Sequence, residues 1–188
     1  GHHTRPTLSG GRPPEPPRPP PARPYDGAMR IVTVPYDHPD AQKLDAQVQQ
    51  EYRERYHSEG DVTPLTPSMF APPHGRFLLA YDPDGAPVGC GGWRSRDRDE
   101  EGYQDGDAEI KRLYVVPEMR NRGLARRILA LLEEDARAAG RRQMVLETGT
   151  AQPEAINLYR SSGYVPAKAK FGVYRHSANS RCFTKPLR

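Results

Sequence analysis

Residues 108–117, AEIKRLYVVP, run through Glu118-Met119-Arg120-Asn121-Arg122-Gly123-Leu124-Ala125 into residues 126–139, RRILALLEEDARAA. The first part alternates apolar and polar residues and stops at Pro117, which predicts a strand over Ala108–Val116. In the last part Leu124, Ile128, Leu131, Leu132 and Ala136 recur at helical spacing. Gly140 suits a C-terminal stop, so the spacing predicts a helix over Asn121–Ala139.

A strand that turns and re-enters as a helix aims the helix's first N–H groups, which lack intrahelical partners, at one small volume. The positive end of the helix dipole points there too, and an anion such as pyrophosphate fits that volume. Gly123 lets the main chain come close, Ala125 keeps the first turn narrow, and Arg120, Arg122, Arg126 and Arg127 surround the entrance. Any one of these arginines alone reads as a solvated helix start. Together with the glycine and the preceding strand they point to an anion.

Working outward, Arg30–Val34 reads as a strand and Pro39–Ser58 as a helix, with Asp37 or His38 at its start and Ala41, Leu44, Val48 and Tyr52 on one face. Pro64, Pro67, Pro72 and Pro73 enforce a loop, broken at most by one helical turn. Arg76–Tyr81 and Val88–Ser95 form a hairpin across Asp82-Pro83-Asp84-Gly85, and Asp97–Asp107 is a charged connection. Met144–Thr148 is a strand, Pro153–Ser162 a helix closed by Gly163, and Tyr164–Ala167 with Arg181–Lys185 a last strand pair. This order predicts a mixed α/β fold, a mostly antiparallel central sheet flanked by helices.

The 188 residues suffice for one domain, placed at 29–188. Residues 1–28 carry nine of the 21 prolines, a composition for extended or disordered chain. They read as a disordered Pro-rich leader, a cloning remnant or translated upstream sequence ahead of a start at Met29. The formal charge of +4 includes Arg5, Arg12, Arg18 and Arg23 in that segment, so the rest is nearly balanced. That argues against a nucleic-acid partner, which needs a concentrated basic face. No apolar run reaches the ~18–20 residues of a membrane span, and no signal-peptide core is present. Cys90 and Cys182 sit in strand-like stretches as ordinary buried thiols; no metal site is expected, and the expected compartment is the cytoplasm.

Arg120-x-x-Gly123-x-Ala125 resembles the acetyl-CoA-binding signature Q/R-x-x-G-x-G/A of the GCN5-related N-acetyltransferase (GNAT) superfamily. Ala108–Pro117 is similar to that family's fourth strand, and Ala155-Ile156-Asn157-Leu158-Tyr159-Arg160-Ser161-Ser162-Gly163-Tyr164 to its A-x-x-L-Y-x-x-x-G-F/Y segment. The resemblance covers residues 30–188. It implies the acyl-CoA N-acyltransferase fold, acetyl-CoA or coenzyme A as cofactor, and a division of labour around it. Backbone at Leu113, Tyr114 and Val115 would pair with the pantetheine arm. N–H groups of Arg120, Asn121, Arg122, Gly123, Leu124, Ala125 and Arg126 would hold the pyrophosphate. The arm would lie in a cleft near Glu147–Thr148. Gln152 stands where many relatives have asparagine, which leaves Asn157 as a candidate contact to the pantetheine.

Acetylation of an amine by direct attack needs a proton acceptor for the ammonium and a proton donor for the leaving thiolate. The resemblance implies Tyr159 as general acid; a phenol, with ordinary pKa of about 10, can protonate a thiolate. Two carboxylates compete as base. Glu109 matches the strand-four glutamate of the histone-acetylating branch, and Glu147 the glutamate of the ribosomal-protein branch. The acceptor pocket is expected from the first helix, the proline loop and the third strand, with Tyr52, Tyr56 and Trp93 as candidate substrate contacts and Phe70 as part of a closing loop. A small-molecule or peptide amine is the expected acceptor, and a homodimer through the last strands is compatible with the family. Alternatives are a non-catalytic acyl-CoA sensor and a protein-amine acetyltransferase.

Overall fold

The computed structural model describes residues 10–15 and 29–188. Apart from residues 10–15, the proline-rich leader lies outside them. Strands β1 (Arg30–Thr33), β2 (Gly75–Tyr81), β3 (Pro87–Arg96), β4 (Asp107–Val115), β5 (Gln143–Gly149), β6 (Val165–Pro166) and β7 (Ser180–Pro186) form one sheet in the order β1-β2-β3-β4-β5-β7-β6. Every neighbouring pair is antiparallel except β4 with β5. Helices α1 (Pro39–Tyr56), α2 (Leu124–Ala138) and α3 (Pro153–Ser161) cover it.

Alternation along the strands builds two cores. From β2, Phe77, Leu79 and Tyr81 pack with Ala41, Leu44 and Val48 of α1, while Leu78 and Ala80 pack with Ile128, Leu132 and Ala136 of α2. Each fully buried Ile128 or Leu132 contributes roughly 1.5–3 kcal/mol. On α2 it is Leu129 that is buried, whereas Leu131 is partly exposed.

Helix α2 begins at Leu124 rather than at Asn121. Asn121 (φ 63°) and Gly123 (φ 79°) are left-handed, so no right-handed helix passes through them. Its C-terminus is closed by Gly140 N–H to Arg137 O and Arg141 N–H to Ala136 O, both 3.0 Å, with Gly140 left-handed. The final hairpin is shorter than expected, two residues of β6 against β7, because Pro166 offers no N–H to extend the ladder.

The feature that positions the site is in β4. Its partner β3 slips register between Cys90 and Gly92, opposite Arg112, whose φ of 59° is left-handed. Such a bulge bends a strand. β4 therefore pairs with β5 only through Asp107–Glu109 against Gln143–Val145, and the two diverge beyond.

Candidate active site

Where β4 and β5 part, a cavity of about 310 Å³ opens. Ile110, Lys111, Arg112 and Leu113 of β4 form one wall and Glu147, Thr148 and Gly149 of β5 the other. Tyr52 and Tyr56 close it from α1, Gln152, Ala155 and Tyr159 from α3, Gly60 and Asp61 from the loop after α1, and Tyr174 from the loop before β7.

Glu147 projects into this cavity, and the Ser180 hydroxyl donates to its Oε1 at 3.0 Å. Burial pushes its carboxyl up to about 7, against the opposing charge of Lys111 and the Ser180 hydrogen bond. Tyr159 is 7 % exposed, and its ring packs edge-on against Tyr164 at 5.7 Å. Its phenol is raised, first by burial and then by the charge of Glu147, which keeps it protonated. Tyr56 donates to Gln152 Oε1 at 2.9 Å, and its pKa is pushed up to about 12 chiefly by burial. Gly149 makes room for that phenol: a Cβ there would lie 1.9 Å from the Tyr56 oxygen. Tyr52 is half-buried, and burial raises it as well.

Glu109 sits one residue before the divergence, outside the cavity lining, and is 3 % exposed. Arg94 Nε donates to its Oε1 at 2.7 Å and the Tyr103 hydroxyl to its Oε2 at 2.5 Å, so both oxygens are engaged. Trp93 does not line the cavity: it is fully buried on the α2 side of the sheet, with Nε1 donating to Asp135 at 2.7 Å. Phe70 likewise belongs to the α1-side core, 5.1 Å from Tyr36 and 5.5 Å from Phe77, and does not close over the cleft. The third strand contributes nothing to the cavity because β4 stands between β3 and the opening. Asn157 is exposed and does not line the cleft; Ala155 and Tyr159, four apart, face inward, and a residue midway between them points away. Gln152 takes the cleft position, accepting from Tyr56 and from Thr148 Oγ1 at 3.2 Å.

At the N-terminus of α2, the N–H groups of residues 121–126 have no protein hydrogen-bond acceptor among the described residues. Arg120 is turned inward, donating to Val115 O at 2.9 Å and Glu51 at 2.8 Å, while Arg126 bridges to Ser161 and Ser162 on α3. Arg122 and the Arg127 backbone flank the same turn.

Sequence reasoning missed one cluster. Asp61 accepts from Lys111 Nζ at 2.7 Å and Arg112 at 2.5 Å through one oxygen, and from Thr63 N–H and Oγ1 through the other. Burial alone would raise its carboxyl; Lys111 and Arg112 hold it well below the usual range. Arg112 also donates to Asp45 of α1 at 2.6 Å. The one local signal was Asp61-x-Thr63, a side chain bonding its own backbone two residues on.

Residues 41–164 match the model of the acetyltransferase (GNAT) family. The chain belongs to the GNAT family. An IAA acetyltransferase of Azospirillum brasilense is 39% identical over 134 residues, 68% of this chain and 82% of that protein. A candidate acyl-CoA N-acyltransferase from Klebsiella pneumoniae shares the fold with a TM-score of 0.68 at 29% identity, over 86% of this chain and 99% of that one. The ribosomal-protein-S18-alanine N-acetyltransferase of Escherichia coli shares it at 15% identity and a TM-score of 0.57, over 85% and 94%. This GNAT protein is thus an acyl-CoA-dependent N-acetyltransferase, of a family whose fold takes acetyl-CoA as substrate. Among its described residues no helix is long and apolar enough to cross a membrane.

Proposed function

We propose that this GNAT protein transfers an acetyl group from acetyl-CoA to the primary amine of a small molecule by direct attack, with Glu147 as base and Tyr159 as acid. The observation that carries the reading is that Glu147 and Tyr159 face one cavity at the divergence of β4 and β5, whereas Glu109 is spent on Arg94 and Tyr103.

The residues present fit the coenzyme. Unpartnered N–H groups at 121–126, at the positive end of α2, suit a pyrophosphate. The edge of β4 from Ile110 to Tyr114 has no β5 partner and is open to an extended arm, while Thr148 and Gln152 offer polar atoms from the opposite side. When bound there, acetyl-CoA supplies the acyl carbon that the amine attacks. Glu147, oriented by Ser180, takes a proton from the ammonium and passes it to water. Tyr159 gives its proton to the sulfur as the C–S bond breaks, and recovers the second proton shed by the nitrogen once the new C–N bond has formed. Tyr52 and Tyr56 offer ring faces to a cation.

A small acceptor fits better than a protein lysine because two loops that line the cavity are joined beside its opening. The Tyr174 hydroxyl accepts from Val62 N–H at 2.7 Å, tying the loop after α1 to the loop before β7. Coenzyme release measured over an amine panel tests the reading. Turnover should rise with pH through about 7, as Glu147 ionises, and Glu147→Gln should remove that rise; a variant that keeps the wild-type profile overturns the assignment of the base.

A further inference from the structure

The cavity holds a second charged group that the proposed acetyl transfer does not use. Lys111 lies on the β4 wall, its side chain 10 % exposed. An ammonium has three donors, and among the described residues Nζ has a single acceptor, Asp61 Oδ2. That oxygen is shared with Arg112, and the other Asp61 oxygen is filled by Thr63. A poorly exposed cation with donors to spare is costly to leave unmatched. Lys111 on the β4 wall and Glu147 on the β5 wall line the same cavity. The two fixed carboxylates here, Asp45 and Asp61, already balance Lys111 and Arg112. A ligand carrying both signs enters such a space without adding net charge.

Building on the function proposed above, we propose that the acceptor is an amino acid or a close amino-carboxylate, its ammonium at Glu147 and its carboxylate on Lys111. Ser177, which lines the same cavity with a hydroxyl that has no partner among the described residues, adds a hydrogen bond to that carboxylate.

The test compares glycine, serine, leucine, phenylalanine and lysine, each with the amine left by removing its carboxylate, by coenzyme release under saturating acetyl-CoA. At least one acid should exceed its amine in kcat/KM by about tenfold or more, the scale of a charge-assisted hydrogen bond. Lys111→Met should collapse that ratio through the KM of the acid, and Lys111→Arg should largely keep it. If no acid exceeds its amine, including the case in which nothing is turned over, or if Lys111→Met lowers acid and amine alike, the proposal is overturned. Calorimetry with acetyl-CoA separates the two readings. Binding with equal use of acid and amine removes only the carboxylate, whereas no binding removes the acetyl-transfer site itself. The wild-type comparison needs no variant to fold.

Discussion

Strands β4 and β5 are two regions in one. At one end they are zipped, Asp107–Glu109 against Gln143–Val145, and at the other they diverge around a cavity. Each end holds a glutamate, and the two differ in what surrounds them: Glu109 is buried among donors, whereas Glu147 is half-buried beside the cavity. Glu109 stands directly across from Arg94 in the β3–β4 register, and Tyr103 reaches its second oxygen. Opposite charges across a strand pair stabilise the ladder, and Glu109, charge-paired with Arg94 and held at both oxygens, is turned away from the cavity. Glu147 has only the Ser180 hydroxyl and a cavity in front of it, and its pKa rises to about 7. A buried ion pair makes structure; a half-buried carboxyl without one makes a base poised near neutral pH.

Glu147→Gln should break this comparison most visibly. Loss of a general base costs about 10²–10⁴-fold in rate, and the rise of kcat/KM through about pH 7 should vanish with it. Glu109→Gln should keep that rise at a reduced or normal amplitude; a profile lost in both variants would remove the distinction between the ends. Stability should move the opposite way at Glu147. Its folded pKa, about 7, exceeds the ordinary 4.5, so its contribution is fully present below pH 4.5 and is lost as pH rises through 7. Glu147→Gln, which stays neutral, should therefore match wild type near pH 4.5 and gain in Tm relative to it above pH 7.

Tyr159→Phe comes next. With the acid on the same cavity as Glu147, kcat should fall by about 10²-fold, the low end for general acid catalysis, while the KM for acetyl-CoA changes little. An unchanged kcat takes Tyr159 out of the mechanism and leaves it a packing residue beside Tyr164 and Phe183.

Much of this arrangement is legible in the amino-acid sequence. Period-two and helical spacing placed the seven strands and three helices to within a few residues, since those patterns report which side is buried. Glycine before the run of α2 located the turn, and Tyr159 and Glu147 were among the candidates. What the sequence did not convey was register and partner. Glu109 and Glu147 look alike in one dimension; only the pairing of Arg94 with Glu109, fifteen positions apart, separates them. Trp93 follows two glycines at a strand end and stood among the candidate substrate contacts, yet Asp135 on α2 satisfies its indole N–H in the core. Asp61 lies in a loop without periodicity and meets Lys111 fifty positions away, so no local pattern announced it.

At the zipped end the expected effect of Glu109→Gln is on stability. Removing one partner of a buried pair leaves the Arg94 guanidinium uncompensated, at a cost of about 3–5 kcal/mol. Thermal or denaturant unfolding should register that loss near neutral pH. A variant as stable as wild type would mean that Tyr103 and Arg94 find other partners.

The smallest effects lie on α3 and sharpen where the cleft's edge runs. Gln152 accepts from both Tyr56 and Thr148, so it ties α1 and β5 to the start of α3 around the open end. Losing an acceptor for the buried Thr148 hydroxyl and the half-buried Tyr56 hydroxyl costs about 1–3 kcal/mol. Gln152→Ala should accordingly raise the KM for acetyl-CoA several-fold by loosening that wall. Asn157 is a turn and a half further on, two residues from Ala155 and from Tyr159, and faces solvent. Asn157→Ala should leave kcat and both KM values within error of wild type. A rise in the acetyl-CoA KM for Asn157→Ala, with Gln152→Ala silent, would put the pantetheine on the outer side of α3 and move the boundary between the packed and the open region of the molecule.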